Sequence, residues 1–226
     1  MRKLFINHFK SLVYLYVSIG FSAFNISYAG SYDDFFKAIK IDDAPTISLL
    51  LARGFDVNTL DPQGSHGLIL AIKEPSLKAA QALVNAPKID LNLLNGNGES
   101  PLMLAALKGE LDLVEKMVKK GADVNKTGWT PLHYAASNGH SAVIRLLLEN
   151  YAYIDAESPN GSTPLMLASM YGSPESVKLL LDEGADPLLK NQQNMTALQF
   201  AQRAQRVDSI ELLTQAVRSK QATGKW

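Results

Sequence analysis

The sequence contains no cysteine. This absence excludes disulfide bonds, thiolate zinc sites, iron–sulfur clusters and cysteine nucleophiles. A charge excess of either sign is absent too, because 22 Lys and Arg residues balance 22 Asp and Glu residues. A broad basic surface for nucleic acid is therefore disfavoured. Hydrophobic residues make up 46% of the chain and charged residues 19%, which is typical of a folded globular protein.

Patterns that carry catalysis are also scarce. The four histidines are His8, His66, His133 and His140, and no two of them have the i, i+4 spacing of a helical zinc site. No Gly-x-Ser-x-Gly nucleophile motif occurs, and Gly96-Asn97-Gly98 lacks the lysine of a phosphate loop. Asp33-Asp34 and Asp42-Asp43 lie at or beside predicted helix starts, where the positive end of the helix dipole stabilises acidic side chains. The sequence predicts no enzyme, no cofactor and no metal site, and we expect His66 to be solvated or to cap a helix.

The first 29 residues have the pattern of a secretory signal peptide. Arg2, Lys3 and Lys10 provide a positive start, and residues 12–24 form an uncharged and largely apolar run. Ser27-Tyr28-Ala29 then places small residues at the first and third positions of a cleavage site. We expect cleavage after Ala29. The alternative is an uncleaved membrane anchor, because residues 11–29 carry no charge, although the apolar run is short for a bilayer span of about 20 residues.

Cleavage would change the charge of the protein. The removed segment carries three of the 22 basic residues and no acidic residue, so 197 residues with a net charge of −3 would remain. Exported proteins usually meet an oxidising compartment, and a chain without cysteine cannot form wrong disulfides there. The sequence therefore predicts a periplasmic or secreted protein.

The remainder of the chain contains an internal repeat. Similar segments begin near residues 64, 98, 128, 161 and 194, at steps of 34, 30, 33 and 33 residues. Four of them read Gly98-Glu99-Ser100-Pro101-Leu102-Met103, Gly128-Trp129-Thr130-Pro131-Leu132-His133, Gly161-Ser162-Thr163-Pro164-Leu165-Met166 and Asn194-Met195-Thr196-Ala197-Leu198-Gln199. Leucine-rich runs follow at residues 146–148 and 179–181, and Gly-Ala-Asp closes two units at residues 121–123 and 184–186.

These residues resemble the ankyrin repeat, whose Thr-Pro-Leu-His-x-Ala pattern is complete at residues 130–135. The resemblance implies an all-α solenoid of about six stacked helix-turn-helix units joined by β-turn fingers. The units lie near residues 31–58, 64–92, 98–125, 128–155, 161–188 and 194–220, within a domain of residues 30–220. The first and last units are expected to be caps, since terminal repeats need polar outer faces. Residues 221–226 are expected to form a frayed tail.

Each repeated residue has a physical role. Thr130 and its equivalents can cap the first helix of a unit, and the following proline suits the first helical position. Gly139 and Gly172 are expected to allow a left-handed turn between the two helices. The leucine runs that contain Leu147 and Leu180 are expected to form the core between neighbouring units.

Two departures from the repeat stand out. Three residues are missing between Asn125 and Gly128, which predicts a shorter finger between units three and four. Unit four also has Tyr151-Ala152-Tyr153 where units three and five have Gly-Ala-Asp. Losing glycine at a left-handed helix end costs on the order of 1 kcal/mol. Such a cost favours a functional site, and tolerated sequence drift is the alternative.

The resemblance also implies a binding surface. Ankyrin stacks bind along a concave side lined by fingers and first helices, and the family's recognition positions flank the first helix of each unit. These positions are Glu99, Leu107, Lys108, Trp129, Ser137, Asn138, Ser162, Met170 and Tyr171. Trp, Tyr and Met are enriched in interface cores, which favours a patch around Trp129, Met170 and Tyr171, with Tyr151 and Tyr153 as an extension. The alternative is that Trp129 packs on a neighbouring finger.

These observations predict an exported module for protein–protein interaction, with a protein partner on its concave face. The resemblance to small signal-bearing ankyrin proteins of Gram-negative bacteria favours the periplasm. We expect a monomer that binds neither nucleic acid nor, after cleavage, a membrane. The alternative is a membrane-anchored structural scaffold that retains its N-terminal segment.

Overall fold

The structure, a computed structural model, describes residues 30–223. The predicted signal peptide lies outside these residues. Within them the chain forms six pairs of helices and no strand, apart from an isolated bridge between Leu60 and His66. The predicted all-α stack of about six helical units is confirmed.

The twelve helices follow one another with short connections. They are α1 (residues 30–40), α2 (Ala44–Ala52), α3 (Gly67–Lys73), α4 (Leu77–Asn85), α5 (Pro101–Lys108), α6 (Leu111–Lys119), α7 (Pro131–Ser137), α8 (Ser141–Glu149), α9 (Pro164–Tyr171), α10 (Pro174–Asp182), α11 (Ala197–Arg203) and α12 (Val207–Thr223). Helix α12 includes residues 221–223, which were expected to fray. None of the helices in this part of the chain has the length and apolar character needed to cross a bilayer.

The helices form two layers. Helices α3, α5, α7, α9 and α11 pack side by side in one layer, and α2, α4, α6, α8, α10 and α12 form the other. We call the surface formed by the first layer and the fingers the inner face. The paired alanines at 105–106 and 135–136 are fully buried, which allows neighbouring helices of the inner layer to approach closely. Leu147 and Leu180 are fully buried as well.

The first helices of units three to five begin with the predicted caps. The hydroxyl oxygens of Ser100, Thr130 and Thr163 accept the backbone N–H three residues later, at 3.2, 3.5 and 3.4 Å. Proline occupies the start of each of these helices, where its missing N–H costs nothing. The caps thus define where α5, α7 and α9 start relative to the preceding finger.

Four fingers share one hydrogen-bonded turn. In each, the backbone N–H of the first residue donates to the carbonyl four residues later, and the N–H of the fourth residue donates back. The first residues of these fingers are Asp61, Asn95, Ser158 and Asn191, and their side chains accept backbone N–H groups of the same turn. The finger between α6 and α7, from which three residues are missing, has neither backbone bond.

Glycine at the turn between paired helices serves two different purposes. Gly109 and Gly139 have φ values of 74° and 72°, so the left-handed turn predicted for Gly139 is confirmed. The same prediction for Gly172 is wrong, since its φ is −80°. A Cβ atom on Gly172 would lie 2.4 Å from the carbonyl oxygen of Ala136. Glycine at 172 therefore permits a close approach between α7 and α9.

A ladder of polar side chains fixes the spacing of the units. Oδ1 of Asn58, Asn92 and Asn125 accepts the backbone N–H of Asp90, Asp123 and Tyr153 respectively, each at 2.9 Å. Asp155 accepts the N–H of Asp186 at 3.1 Å in the same way. Each rung joins the end of one unit to the end of the next, so the ladder runs along the stack beside the apolar core.

Candidate protein-binding site

A pocket of about 230 Å³ opens on the inner face between α5, α7 and α9. Its lining residues are Leu107, Trp129, His133, Tyr134, Ser137, Leu167 and Tyr171. The structure thus brings together Trp129, Ser137 and Tyr171 of the predicted binding residues, along with Leu107 from the predicted recognition positions. They come from units three, four and five.

Trp129 is one of the aromatic residues that line the pocket. It directly precedes Thr130, the cap of α7, and follows the short finger, in which Gly128 has a φ of 82°. The indole ring meets His133 and Tyr134 edge-on, with centroid distances of 5.4 and 6.4 Å. These ring contacts lie within its own unit, and 37% of the residue is exposed. A partner can therefore reach the ring.

His133 forms part of the wall and ties two units together. Its Nδ1 accepts the Thr130 N–H at 3.2 Å, so Nε2 carries the proton and donates to the Ser162 carbonyl at 3.0 Å. Burial lowers the pKa of His133 to about 4, so the ring is neutral near pH 7. These two contacts give His133 a structural role, because it bonds the start of α7 and the finger of the next unit.

Tyr134 connects the pocket to a carboxylate. Its hydroxyl donates to Oε1 of Glu99 at 3.1 Å, and Asn95 Nδ2 donates to Oε2 at 2.8 Å. Burial and the neighbouring Glu99 raise the pKa of Tyr134 to about 12. Burial alone would raise the pKa of Glu99, but hydrogen bonds from Asn95 and Tyr134, with the charge of Lys73, outweigh it and lower the pKa. Glu99 is therefore an ionised carboxylate held beside the pocket.

Three predicted residues on the inner side are placed differently. Ser162 is only 1% exposed, because it lies inside its finger and its N–H donates to the Ser158 hydroxyl at 3.0 Å. Met170 is half-buried against the core and does not line the pocket. Asn138 is near the surface, where its Nδ2 donates to the Leu107 carbonyl at 2.8 Å. Ser162 is thus a structural residue of the finger, and its side chain is not available to a partner.

Tyr151 and Tyr153 do not extend the pocket. They follow the C-terminus of α8 and are 86% and 70% exposed. The Tyr151 carbonyl accepts Asn125 Nδ2 at 2.8 Å, and the Tyr153 N–H donates to the same side chain. Both backbones therefore belong to the polar ladder, and neither side chain lines the pocket.

Tyr134 and Leu167 line the pocket but were missed by the sequence reasoning. Both occupy the variable position of the Thr-Pro-Leu-His-x-Ala pattern. The equivalent residues in the other units are Leu70, Leu104 and Phe200. Since this position recurs on the same side of every first helix, the repeat alignment itself could have identified the row.

Two larger pockets lie at the ends of the stack. One, of about 570 Å³, lies between α10 and α12 and includes Lys178 and Lys220, and the other, of about 520 Å³, surrounds α1 and the first finger. Neither contains a predicted binding residue. Within residues 30–223, no group of three or more His, Asp or Glu side chains could hold a metal ion. The aromatic pocket on the inner face is therefore the best-supported site.

The family of the chain follows from its sequence as well as its fold. A family model described as "Ankyrin repeats (3 copies)" matches residues 35–127, 68–158 and 152–222. The chain belongs to the ankyrin-repeat family. It is similar to solved ankyrin-repeat structures, including a domain from Acinetobacter baumannii AYE (TM-score 0.72, 28% identity) and human ASB11 (TM-score 0.73, 29% identity). Each match covers 80% of this chain. The matches cover 96% of the Acinetobacter chain and 82% of the human chain.

Similar proteins with curated descriptions are mostly larger. The "Protein phosphatase 1 regulatory subunit 27" of Mus musculus is 36% identical over 93 residues, covering 40% of this chain and 60% of that protein. The "B-cell lymphoma 3 protein homolog" of Mus musculus is 31% identical over 73% of this chain and 38% of that protein. The chain thus spans less than two thirds of these relatives, and as little as 11% of the rat "Ankyrin repeat and SAM domain-containing protein 6".

Proposed function

We propose that this protein is an exported, non-enzymatic ankyrin-repeat module that binds a protein partner on its inner face. The observation that carries the proposal is the pocket between α5, α7 and α9, where Trp129 and Tyr171 remain 37% and 60% exposed. Partly exposed aromatic residues beside a preformed apolar depression are typical of interaction hot spots. Repeat solenoids bind their partners on such continuous surfaces.

The binding site is tested with two variants. Trp129→Ala and Tyr171→Ala should each weaken binding to a partner captured from the native cell envelope by at least about 1 kcal/mol, the scale of a hot-spot residue. Thermal melting should stay near wild type, because both side chains lie on the surface. Tyr153→Ala, an exposed tyrosine outside the pocket, serves as the matched control. Unchanged binding of both pocket variants, or a loss explained by melting alone, would reject the site.

Export is supported by the sequence pattern of residues 1–29, and the proposed location is the periplasm or the extracellular space. The intact mass of the protein purified from its native host should correspond to a chain that begins at Gly30. Recovery of all 226 residues from a membrane fraction would favour the second candidate function, a membrane-anchored scaffold. The uncharged stretch of residues 11–29 is the observation that supports that alternative.

A further inference from the structure

We propose that the pocket on the inner face binds an arginine side chain of the partner, against the exposed surfaces of Trp129, Tyr134 and Tyr171 and near the carboxylate of Glu99, which is hydrogen-bonded to Tyr134. This inference rests on the proposed function and specifies the chemistry that the partner presents. An exposed arginine in an extended or loop segment of the partner would enter the pocket with its guanidinium group foremost.

The aromatic walls provide the first part of the argument. The rings of Trp129 and Tyr134 are nearly perpendicular, at 83°, with centroids 6.4 Å apart. Tyr171 brings a third ring from the neighbouring unit and is 60% exposed. The faces of such rings attract cations, and arginine is the protein cation found there more often. Its planar guanidinium group also stacks on aromatic faces.

Charge provides the second part. The carboxylate of Glu99 is held beside Tyr134 by the 3.1 Å hydrogen bond from the hydroxyl, and Asn95 holds its other oxygen at 2.8 Å. Each carboxylate oxygen can accept about two hydrogen bonds, and the side chains of Asn95, Tyr134 and Asn97 donate to Glu99, so one position remains for a guanidinium group. His133, which also lines the pocket, contributes no opposing charge near pH 7 because burial keeps its pKa at about 4.

Two lysines act on the same region and limit the expected affinity. The charge of Lys73 helps to lower the pKa of Glu99, and Lys126 Nζ donates to the Gly98 carbonyl at 3.4 Å. Glu99 and the two lysines all lie outside the pocket lining, but Glu99 is joined to the lining residue Tyr134 by a hydrogen bond. Glu99 is thus partly compensated, and a single arginine should bind weakly by itself and contribute as one contact of a larger interface.

The shape and apolar lining favour arginine over a compact cation. The pocket measures about 230 Å³, and Leu107 and Leu167 line it together with the rings. The hydrocarbon stem of arginine can pack on these leucines while its charged end remains near the carboxylate. A lysine ammonium is a more strongly hydrated point charge without a planar face, so it should bind less well.

The experiment uses the fluorescence of Trp129 as its signal. The sequence has two tryptophans, Trp129 and Trp226, so Trp226→Phe makes Trp129 the only reporter. This protein is titrated with N-acetyl-arginine amide, with the neutral analogue N-acetyl-citrulline amide, and with N-acetyl-leucine amide. We expect a saturable change with the arginine probe, and at least about fivefold weaker binding of the citrulline probe, because hydrogen bonds to charged groups are the stronger ones.

Substitutions then assign the interaction to the pocket. Glu99→Gln should weaken arginine binding at least about fivefold and leave the citrulline titration unchanged, with the melting temperature as a check on folding. Glu149→Gln, an exposed acid at the end of α8 in the other layer, is the matched control and should have no effect. Tyr171→Ala should also weaken arginine binding, because it removes one aromatic wall.

Several outcomes would overturn the inference. These are equal or tighter binding of the leucine or citrulline probe, no effect of Glu99→Gln, or no saturable response to the arginine probe. The proposed function is judged separately, by binding of the captured partner to Trp129→Ala and Tyr171→Ala. If those variants lose binding while the arginine probe fails, the inference is wrong and the protein-binding site stands.

Discussion

Tyr151 occupies a backbone position at which other units use glycine. Gly54, Gly121 and Gly184 have φ values of 91°, 89° and 100°, and Tyr151 has a φ of 65°. A left-handed conformation costs an L-residue other than glycine roughly 1–2 kcal/mol. The side chain of Tyr151 is 86% exposed, so the structure shows no burial that offsets this cost.

Replacement of this residue should therefore stabilise the fold. We expect Tyr151→Gly to raise the free energy of unfolding by about 1 kcal/mol in urea denaturation, since glycine adopts the required conformation without the steric cost. Tyr153→Gly is the control, because Tyr153 is 70% exposed and has no positive φ, and it should give no gain. Equal effects of the two substitutions would show that the strain at Tyr151 is negligible.

His66 illustrates how burial changes the role of a residue. The sequence predicts a solvated or capping histidine, and the capping prediction is confirmed, because Nδ1 accepts the Leu68 N–H at 3.3 Å. Solvation is wrong, since only 1% of the residue is exposed. Its Nε2 donates to Asn58 Oδ1 at 3.3 Å, and Asn58 belongs to the ladder between units. Burial lowers the pKa of His66 to about 4.

The lowered pKa predicts loss of stability in mild acid. The unfolded chain takes up a proton below about pH 6.5, whereas the folded protein takes it up only near its pKa of about 4. The contribution of neutral His66 to the free energy of unfolding is fully present above about pH 6.5. It is lost progressively as the pH falls to about 4. Between about pH 7 and pH 5, His66 should account for a loss of about 2 kcal/mol.

Urea denaturation of wild type and His66→Asn at about pH 7 and pH 5 measures this loss of unfolding free energy. Asparagine is a favourable helix cap that does not titrate, so the variant should lose about 2 kcal/mol less than wild type on acidification. The comparison concerns the pH-dependent difference within each protein, so any change in baseline stability cancels. His133, with a pKa of about 4, should contribute a similar loss that the variant retains. An identical pH dependence in both proteins would contradict the prediction.

At the scale of helices and fingers, local sequence patterns predict most of the architecture. Capping residues, the following prolines and the short finger before Trp129 are visible because each depends on neighbours a few residues away. The ladder of Asn58, Asn92 and Asn125 was not predicted, because each side chain bonds a residue 28–32 positions further along. The binding site shows the same limit, since the sequence identified Trp129 and Tyr171 but not Tyr134, which contacts the Trp129 ring and donates a hydrogen bond to Glu99.

Gly172 is another residue whose role depends on packing between units, and this role can be tested by substitution. Sequence similarity to Gly139 suggests a left-handed turn, but the structure shows a close approach of α9 to Ala136 of α7. Gly172→Ala would place a methyl group 2.4 Å from a backbone carbonyl oxygen. The two helices would have to separate, which should reduce the free energy of unfolding by about 1–3 kcal/mol, the usual cost of overpacking.

The control for this substitution is Gly96→Ala. Nothing lies within 4 Å of a Cβ at Gly96, and its φ is not positive, so alanine should be tolerated there. Urea denaturation of the two variants separates packing from a general effect of losing glycine. A loss at Gly172 no larger than at Gly96 would show that α7 and α9 can adjust without cost.

At the scale of the whole molecule, stability depends on contacts between neighbouring units. Each outer helix packs on the next, as α6 does on α8 and α8 on α10. A single unit cannot bury its apolar face without the neighbouring units. Loss of packing at one point should therefore be felt in adjacent units, whereas changes at exposed positions should remain local.

Leu147 of α8 and Leu180 of α10 test this coupling, because both are fully buried in the outer layer. Each Leu→Ala change should reduce the free energy of unfolding by about 2–5 kcal/mol, through lost apolar burial and the cavity left behind. Hydrogen exchange should show reduced protection in the units on both sides of the substituted one. Leu49→Ala, at a position that is 50% exposed, is the control and should cost much less. If exchange rises only within the substituted unit, or if Leu147→Ala costs no more than Leu49→Ala, the units do not share one cooperative core.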